Sequence, residues 1–222
     1  MGQPLQLTAA DGHRLAAYVA STTGTPRGGL VVVQEIFGVN AHIRSVADAY
    51  AAEGYLVIAP ALFDRAERGV EIGYSPEEVK RGMALKAACA DAGALQDIAA
   101  AVAHVRLAGR VGIVGYCWGG YLSWLASGSV DGLAASVPYY GGGMPGRADV
   151  QPRCPVLAHF GEQDGHIPVA GVQALQAAHP EIELHLYPTG HGFNRDVGAA
   201  FHAPSASLAR ERTLAFLGRH IG

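Results

Sequence analysis

The stretch Val111-Gly112-Ile113-Val114-Gly115-Tyr116-Cys117-Trp118-Gly119-Gly120 holds the clearest indication of the fold. It opens with a short apolar run, typical of a strand that is buried on both faces of a sheet, and its last residues begin a predicted helix, 118–126. Gly115 and Gly119 flank Cys117, two positions away on each side. A strand-to-helix turn tight enough to expose a nucleophile needs this spacing, because only glycine leaves room where strand and helix cross. The stretch predicts either such a turn or an ordinary buried cysteine in a glycine-rich loop.

Short apolar strands and helices alternate on both sides of this stretch. A hairpin over 5–19 turns at Asp11-Gly12, where glycine supplies the positive φ of a tight turn. A capping box, Ser75 followed by Glu78, begins a helix that ends near Cys89. The other predicted strands are 30–33, 55–59, 134–137, 156–160 and 181–187, the other predicted helices are 40–50, 93–107, 168–179 and 204–219, and 61–74 is predicted to be a loop.

This alternation predicts an α/β protein with a mostly parallel sheet, an antiparallel N-terminal edge hairpin and helices on both faces. No linker, repeat or low-complexity segment divides the chain, and its 222 residues fit one domain, 1–222. Hydrophobic residues make up 50% of the chain and charged residues 16%, which is enough apolar material for a sizeable core. Because reactive groups in such sheets gather at the carboxyl ends of the strands, the residues just after each strand are the candidates for chemistry.

The charges and the cysteines exclude several classes of function. Lysine and arginine total 16 against 19 acidic residues, a net charge of −3, and no basic stripe is present that could bind nucleic acid. No apolar run approaches the ~18 residues of a membrane span. The 3 cysteines form no CxxC pair and the 10 histidines show no compact ligand spacing, so neither a disulfide framework nor a metal site is predicted. We expect a cytoplasmic protein without a leader segment.

Two further residues fit a catalytic order that begins at Cys117. Asp164 follows the predicted strand 156–160, and His191 follows 181–187. In the α/β-hydrolase fold a nucleophile, an acid and a histidine occur in that chain order, each in a loop after a strand. Taken singly, the aspartate is equally compatible with a helix cap and the histidine with a surface position. The order favours a triad in which His191 takes the thiol proton and Asp164 fixes its tautomer.

Glu35 follows the first buried strand, where this fold usually forms half of an oxyanion hole. The backbone N–H groups of Ile36 and Trp118 are the candidate donors. A carboxylate close to Cys117 would keep the resting thiol protonated, because a charge at ~4 Å outweighs the effect of a helix terminus. The alternative is a solvated loop charge.

Three more side chains are candidates for the substrate side of the site. Arg195 lies four residues after His191 and is either a planar fork for a substrate carboxylate or a surface arginine. Tyr139 and Tyr140 follow the strand 134–137 and either line the pocket or belong to the packing.

Together, several stretches of the chain resemble the dienelactone hydrolase family, the carboxymethylenebutenolidases. These stretches are Gln34-Glu35-Ile36-Phe37-Gly38-Val39-Asn40, Gly115-Tyr116-Cys117-Trp118-Gly119-Gly120, Tyr139-Tyr140-Gly141, His159-Phe160-Gly161 with Asp164, Gly190-His191-Gly192-Phe193 with Arg195, and Glu211-Arg212-Thr213-Leu214. The resemblance implies that Cys117 is the nucleophile, Asp164 the acid and His191 the base. It also implies that Glu35 regulates the thiol and that Arg195 binds a substrate carboxylate.

The chain departs from the family pattern at two places on the substrate side. The family typically has an arginine followed at the fourth and seventh positions by Tyr and Trp, in the helix before the nucleophile. Arg81 is the candidate here, but Leu85 and Ala88 follow it. Gly192 stands where serine is common after the histidine. Both departures concern the choice of substrate and leave the triad intact.

The reaction that the resemblance implies opens a cyclic enol-lactone bearing a carboxylate, through a thioester and without a cofactor. In that family the step belongs to bacterial breakdown of chlorinated or hydroxylated aromatics through catechols. Two other interpretations stay open: a broader carboxylesterase or thioesterase on the same scaffold, and a catalytically silent binding protein. The intact triad argues against the second. The expected partner is a small lactone or ester, and we expect a monomer.

Overall fold

Within residues 2–197 and 199–222, which the computed structural model describes, the chain forms eight strands and six α-helices. The strands are β1 (Gln3–Thr8), β2 (Arg14–Ala20), β3 (Gly29–Val33), β4 (Leu56–Pro60), β5 (Val111–Tyr116), β6 (Leu133–Tyr139), β7 (Leu157–Gly161) and β8 (Glu183–Tyr187). The helices are α1 (Ala41–Ala52), α2 (Pro76–Ala88), α3 (Asp91–Val105), α4 (Trp118–Ser129), α5 (Val169–Ala178) and α6 (Ala203–His220). No helix in this part of the chain is both long and apolar enough to cross a membrane.

All of these strands belong to one mixed sheet, in the order β1-β2-β4-β3-β5-β6-β7-β8. β1 pairs antiparallel with β2, and β2 with β4, whereas the pairings from β4 to β8 are parallel. Helices α3 and α4 pack together on one face, and α1 and α6 line a common groove on the other. The predicted fold class is confirmed. Because β3, β5, β7 and β8 are parallel, the loops that follow them meet at one edge of the sheet.

The predicted turn and cap residues form the expected local structures. Gly12 has a φ of 83° in the turn between β1 and β2. The Ser75 hydroxyl accepts from the Glu78 N–H at 3.3 Å, and the Glu78 carboxylate accepts from the Ser75 N–H at 3.1 Å, which completes the capping box of α2. Asn40 caps α1, because its side-chain oxygen accepts from the Ile43 N–H at 3.2 Å. These local signals begin the helices where the sequence predicts.

The segment 61–74, predicted to be a loop, contains a short 3-10 helix at Leu62–Arg65. Arg65 holds this turn in place: its Nε and one terminal nitrogen donate to the two carboxylate oxygens of Asp97 at 2.7 and 2.8 Å, and its other nitrogen donates to Asp11 at 2.8 Å. Burial raises the pKa of Asp97, and the guanidinium acts against that rise. The prediction missed this turn because its stabilising partners come from α3 and from the β1–β2 hairpin.

Helix α4 crosses the sheet so closely that only glycine fits at three positions. A Cβ on Gly115 would overlap the carbonyl oxygen of Gly119, and a Cβ on Gly119 would overlap that of Val33. A Cβ on Gly120 would overlap the carbonyl oxygen of Tyr139. The crossing therefore brings the first turn of α4 against the ends of β3 and β6, as the glycine spacing predicts.

We expect Gly119→Ala to destabilise the protein by about 1–3 kcal/mol or more, because the added methyl group overlaps backbone that cannot move without shifting the end of β3. In an unhindered helix the same change stabilises by about 0.5–1 kcal/mol, so packing decides the sign. Gly146→Ala is the control, since no atom lies within 4 Å of a Cβ built there. Urea unfolding of both variants measures the difference, and equal stabilities would contradict the close crossing.

Candidate active site

Cys117 lies in the turn between β5 and α4 with a strained backbone. Its φ of 54° and ψ of −113° lie in a region that residues other than glycine rarely occupy. Such a conformation costs about 1–3 kcal/mol and persists only where the surrounding structure enforces it. Here the Cys117 N–H donates to the carbonyl oxygen of Tyr139 at 3.0 Å, and the Cys117 carbonyl accepts from the Tyr121 N–H at 3.1 Å. The thiol is thereby held, partly exposed, at the start of α4.

The thiol begins a hydrogen-bonded chain through His191 to Asp164. Cys117 Sγ lies 3.2 Å from His191 Nε2, and His191 Nδ1 lies 2.7 Å from Asp164 Oδ2. The other oxygen of Asp164 accepts from the backbone N–H of His166 at 2.8 Å. The three residues follow β5, β7 and β8, and His191 is 74 residues from Cys117 and 27 from Asp164. The arrangement supplies a nucleophile, a base and an orienting carboxylate.

The charges in this chain favour the imidazolium that forms once the thiol proton has moved to His191. Burial acts to lower the pKa of His191, but the hydrogen bonds and charges of Asp164 and Cys117 outweigh it and raise the pKa to about 10. For Asp164, burial acts to raise the pKa, and the hydrogen bond and charge of His191 lower it overall. A carboxylate and an imidazolium stabilise each other most where little water competes. His191 is therefore well placed to retain a proton taken from the thiol.

The loop after β3 meets the first turn of α4 beside the thiol. Two hydrogen bonds of the Gln34 side chain fix this loop. Its amide nitrogen donates to the backbone carbonyl oxygen of Glu35 at 3.2 Å, and its amide oxygen accepts from the Leu62 N–H at 3.1 Å. The N–H groups of Ile36 and Trp118, predicted as oxyanion donors, make no hydrogen bond within the described residues. Both donors are thus available to an oxygen of a bound ligand.

Glu35 is buried, with 2% of its surface exposed, and cationic groups surround it. Burial raises the pKa of Glu35, while Arg195, His42 and His191, in that order of strength, act against the rise. Among the hydrogen bonds of residues 2–197 and 199–222, none joins Glu35 to the Cys117 thiol.

Arg195 lies over two aromatic rings close to Glu35. Its guanidinium carbon is 4.4 Å from the centre of the Tyr74 ring and 5.5 Å from that of Phe37, distances at which a cation and a ring attract each other. Its Nε donates to the carbonyl oxygen of Val197 at 3.2 Å. These contacts orient the side chain through Nε and the π-faces, so the two terminal nitrogens are placed to act as a fork for a carboxylate.

Tyr140 lies near both Glu35 and His191. Its ring centre is 5.1 Å from that of His191, in an edge-on arrangement, and its φ of 36° is a second strained conformation at this edge of the sheet. Burial, followed by the charges of Glu35 and Cys117, raises the pKa of the Tyr140 phenol. The hydroxyl is buried and makes no hydrogen bond of normal geometry within the part of the chain that the structure describes.

Two of the predicted site residues are not brought to the triad. The Tyr139 hydroxyl lies 2.6 Å from Thr213 Oγ1 and its ring centre lies 4.4 Å from that of His159, so this tyrosine belongs to the interior beneath the site. Arg81 lies on α2, half exposed, and donates to the Glu67 carboxylate at 2.6 Å. Its charge is directed to the protein surface.

The structure also adds residues that the sequence did not single out. The exposed His166 ring lies 5.4 Å from that of His191, and its position two residues after Asp164 is the signal that would have pointed to it. His42 Nδ1 lies 2.6 Å from Asp196 Oδ1. These two residues are 154 positions apart, and no local pattern connects them.

Comparison with known proteins decides the family of the chain. A model of the dienelactone hydrolase family matches residues 15–221. The chain belongs to the dienelactone hydrolase family. The carboxymethylenebutenolidase of Pseudomonas putida is 36% identical over 222 residues, which cover 93% of this chain and 92% of that relative. The predicted resemblance is confirmed, and this dienelactone hydrolase family member is a hydrolase.

Solved structures agree with that assignment. A Klebsiella pneumoniae protein, provisionally named a dienelactone hydrolase, superimposes with a TM-score of 0.84 at 31% identity, covering 99% of this chain and 100% of its own. An esterase of Pyrococcus furiosus superimposes with a TM-score of 0.73 at 15% identity, covering 100% of this chain and 92% of its own. The second likeness concerns the fold alone.

We expect Asp164→Asn to move the titration of the His191 imidazole downward from about 10 towards its ordinary value near 6.5, because the carboxylate that favours the imidazolium is lost. In the wild type the protonated imidazole stabilises the fold below about pH 6.5, and this contribution disappears as the pH rises through about 10. NMR titration of the His191 ring measures both values. An unchanged titration would show that Asp164 does not control the base.

Proposed function

We propose that this dienelactone hydrolase family member opens a carboxylate-bearing enol-lactone through a thioester on Cys117. The observation that carries the proposal is the continuous chain from the thiol through His191 to Asp164, with separations of 3.2 and 2.7 Å. Family membership supports the lactone as substrate class. The strained turn supports the role of Cys117, because strain is retained at positions that function enforces.

The reaction divides into two displacements at one carbonyl carbon. His191 takes the thiol proton, and the Cys117 sulfur attacks the lactone carbonyl carbon. The N–H groups of Ile36 and Trp118 stabilise the resulting oxyanion. The ring C–O bond then breaks, and the departing enol oxygen receives the proton from His191. Water, deprotonated by the same imidazole, attacks the thioester and releases the dicarboxylic product with the thiol restored.

Glu35 makes this chemistry conditional on an anionic ligand. An ionised Glu35 opposes the Cys117 thiolate by charge repulsion, and the neighbouring Arg195 helps to keep Glu35 ionised. When the substrate carboxylate binds Arg195, it neutralises part of the positive charge that stabilises the Glu35 anion. The pKa of the buried Glu35 therefore rises. A neutral Glu35 no longer opposes the thiolate, so His191 can activate it.

A broader carboxylesterase is the second candidate, and the position of Arg81 favours it. Arg81 pairs with Glu67 at the surface, and the neighbouring positions of α2 carry Leu85 and Ala88. Arg81 is therefore not placed to bind an anionic substrate. Such a site suits ligands with a single carboxylate, which Arg195 binds, and also tolerates uncharged esters.

We expect Cys117→Ala to lower kcat by about 10⁴-fold or more with every substrate that the enzyme turns over, since the nucleophile is removed. The panel comprises a dienelactone, aryl esters and acyl thioesters. Cys154→Ala is the matched control, because this half-buried free thiol lies outside the triad. Turnover that survives in Cys117→Ala would reject the mechanism, whereas aryl esters cleaved far faster than the dienelactone would favour the broader esterase.

We expect Arg195→Ala to raise KM for anionic lactones about 10- to 100-fold, the effect of losing one charge-assisted contact. The KM for neutral aryl esters should change less than about threefold, because they make no such contact. Arg153→Ala is the control: this arginine is half exposed and pairs with Asp131. Equal losses with anionic and neutral substrates would exclude a carboxylate-binding role.

A further inference from the structure

Gln34, the residue before Glu35, is a fully buried amide whose two polar ends both make hydrogen bonds. Its oxygen accepts from the Leu62 N–H at 3.1 Å, and its nitrogen donates to the Glu35 carbonyl oxygen at 3.2 Å. A backbone N–H only donates and a carbonyl oxygen only accepts, so one orientation of the amide satisfies both partners. The side chain therefore joins the loop after β3 to the 3-10 turn at Leu62–Arg65.

The bond to the Glu35 carbonyl also sets the direction of the Ile36 N–H. These two groups belong to one planar trans peptide unit, so they point in opposite directions. Holding the oxygen against Gln34 therefore turns the N–H away from Gln34. This N–H is one of the two oxyanion donors of the proposed mechanism, and it makes no hydrogen bond within the described residues.

The next peptide group of the same loop is confined by helix α2. Gly82 lies so close to the Ile36 carbonyl that a Cβ at position 82 would overlap its oxygen. Gly82 and Leu85 are the buried residues of α2, so this contact belongs to the small face through which the helix packs. The peptide groups on both sides of Ile36 are thus held, one by a hydrogen bond and the other by direct contact.

The Leu62–Arg65 turn reaches the second oxyanion donor through an aromatic contact. The ring of Phe63 stacks on the ring of Trp118, with centres 5.3 Å apart and planes at 17°. Both side chains are buried, and Trp118 is the first residue of α4. Aromatic pairs at this separation attract each other, so the contact resists a shift of Trp118 away from the turn.

Three other elements fasten this turn. Arg65 donates to both carboxylate oxygens of Asp97 on α3, at 2.7 and 2.8 Å, and to Asp11 in the β1–β2 hairpin at 2.8 Å. Paired hydrogen bonds between a guanidinium and a carboxylate fix the geometry of both groups. At the end of α2, the Cys89 thiol donates to the Leu62 carbonyl oxygen at 3.7 Å. The turn is therefore a fixed point from which the neighbouring loops can be oriented.

We propose that the Leu62–Arg65 turn positions the oxyanion hole: through Gln34 it directs the Ile36 N–H, and through Phe63 it braces Trp118. Gln34 and Phe63 are positioning residues, because neither supplies a donor N–H of its own to the oxyanion. The inference rests on the proposed function, since it concerns the stabilisation of the same oxyanion. Donors that are fixed before the reaction stabilise the transition state without reorganising as the charge develops.

Two reactions of the Cys117 thiol separate this role from a general effect on the nucleophile. With p-nitrophenyl acetate, the sulfur attacks the carbonyl carbon, an oxyanion forms, and p-nitrophenolate leaves as the acetyl thioester is completed. With iodoacetamide, the sulfur displaces iodide from a tetrahedral carbon, and no oxyanion forms. Both rates follow the thiolate fraction, so their ratio reports the oxyanion hole. The p-nitrophenolate burst measures acylation, and mass spectrometry of the Cys117 peptide measures alkylation.

We expect Gln34→Met to lower the ratio of acylation to alkylation about 10- to 100-fold, because the Ile36 N–H is no longer directed at the oxyanion. Methionine has a similar length but no amide, so it bonds to neither partner. Phe63→Leu should lower the ratio about three- to tenfold, since Trp118 loses its stacking partner and its N–H becomes less well aligned.

Gln176→Met and Phe216→Leu are the matched controls. The Gln176 amide on α5 donates to the carbonyl oxygens of His179 and Ile182 at 3.3 and 3.2 Å, so the first control also removes an amide with two backbone partners. Phe216 is a buried aromatic residue of α6. Both controls should lower the melting temperature and leave the ratio of acylation to alkylation unchanged.

A wild-type ratio in Gln34→Met would overturn the proposal, even if both rates fell together, because the residue would then act on the thiol and not on the oxyanion. An equal fall of the ratio in Gln176→Met would overturn it as well. If Gln34→Met does not fold, Phe63→Leu decides, and an unchanged ratio in that variant rejects the role of the turn.

Failure of the proposed function gives a different result. In that case Cys117→Ala would still hydrolyse the lactone and the aryl ester. Failure of the present inference leaves Cys117→Ala inactive, while Gln34→Met and Phe63→Leu keep the wild-type ratio of acylation to alkylation.

Discussion

The close crossing of helix α4 over strands β5 and β3 is the constraint on which the rest of the site depends. Gly115 and Gly119 allow two backbones to approach to distances at which any side chain would overlap a carbonyl oxygen. The crossing forces Cys117 into its strained conformation and places its thiol 3.2 Å from His191. It also brings the Trp118 N–H beside the loop of Ile36. A helix displaced by one side-chain diameter would separate the Cys117 thiol, the His191 imidazole and the Ile36 N–H group from one another.

A buried carboxylate provides the second constraint. Burial removes the water that would stabilise the Glu35 anion. Electrostatic interactions with Arg195, His42 and His191 restore part of that stabilisation. Burial still dominates and leaves the pKa of Glu35 raised. The loop after β8, which carries Arg195, therefore contributes to the charge balance at Glu35.

Helix α2 distinguishes this family member on the substrate side. Its capping box fixes where the helix begins, yet Arg81 faces Glu67 at the surface and Leu85 is buried. A cation that is committed to a surface ion pair has little to offer a ligand. The hydrogen-bonded chain of Cys117, His191 and Asp164 is thus in place, while Arg81, a predicted substrate-side residue, lies at the protein surface.

The sequence by itself determined the strand–helix alternation, the glycine-flanked turn at Cys117, the caps at Asn40 and Ser75, and the chain order of the triad. These features follow from local rules: the period of apolar residues, the conformations open only to glycine and the hydrogen bonds of a helix's first turn. Only the tertiary structure decided that Tyr139 packs inward on Thr213, that Arg65 orders the turn at Leu62–Arg65, and that His42 meets Asp196 across 154 residues. The reason is that the strand order, with β4 beside β2 and β3 beside β5, sets which loops become neighbours, and no local pattern encodes the pairing of side chains between them.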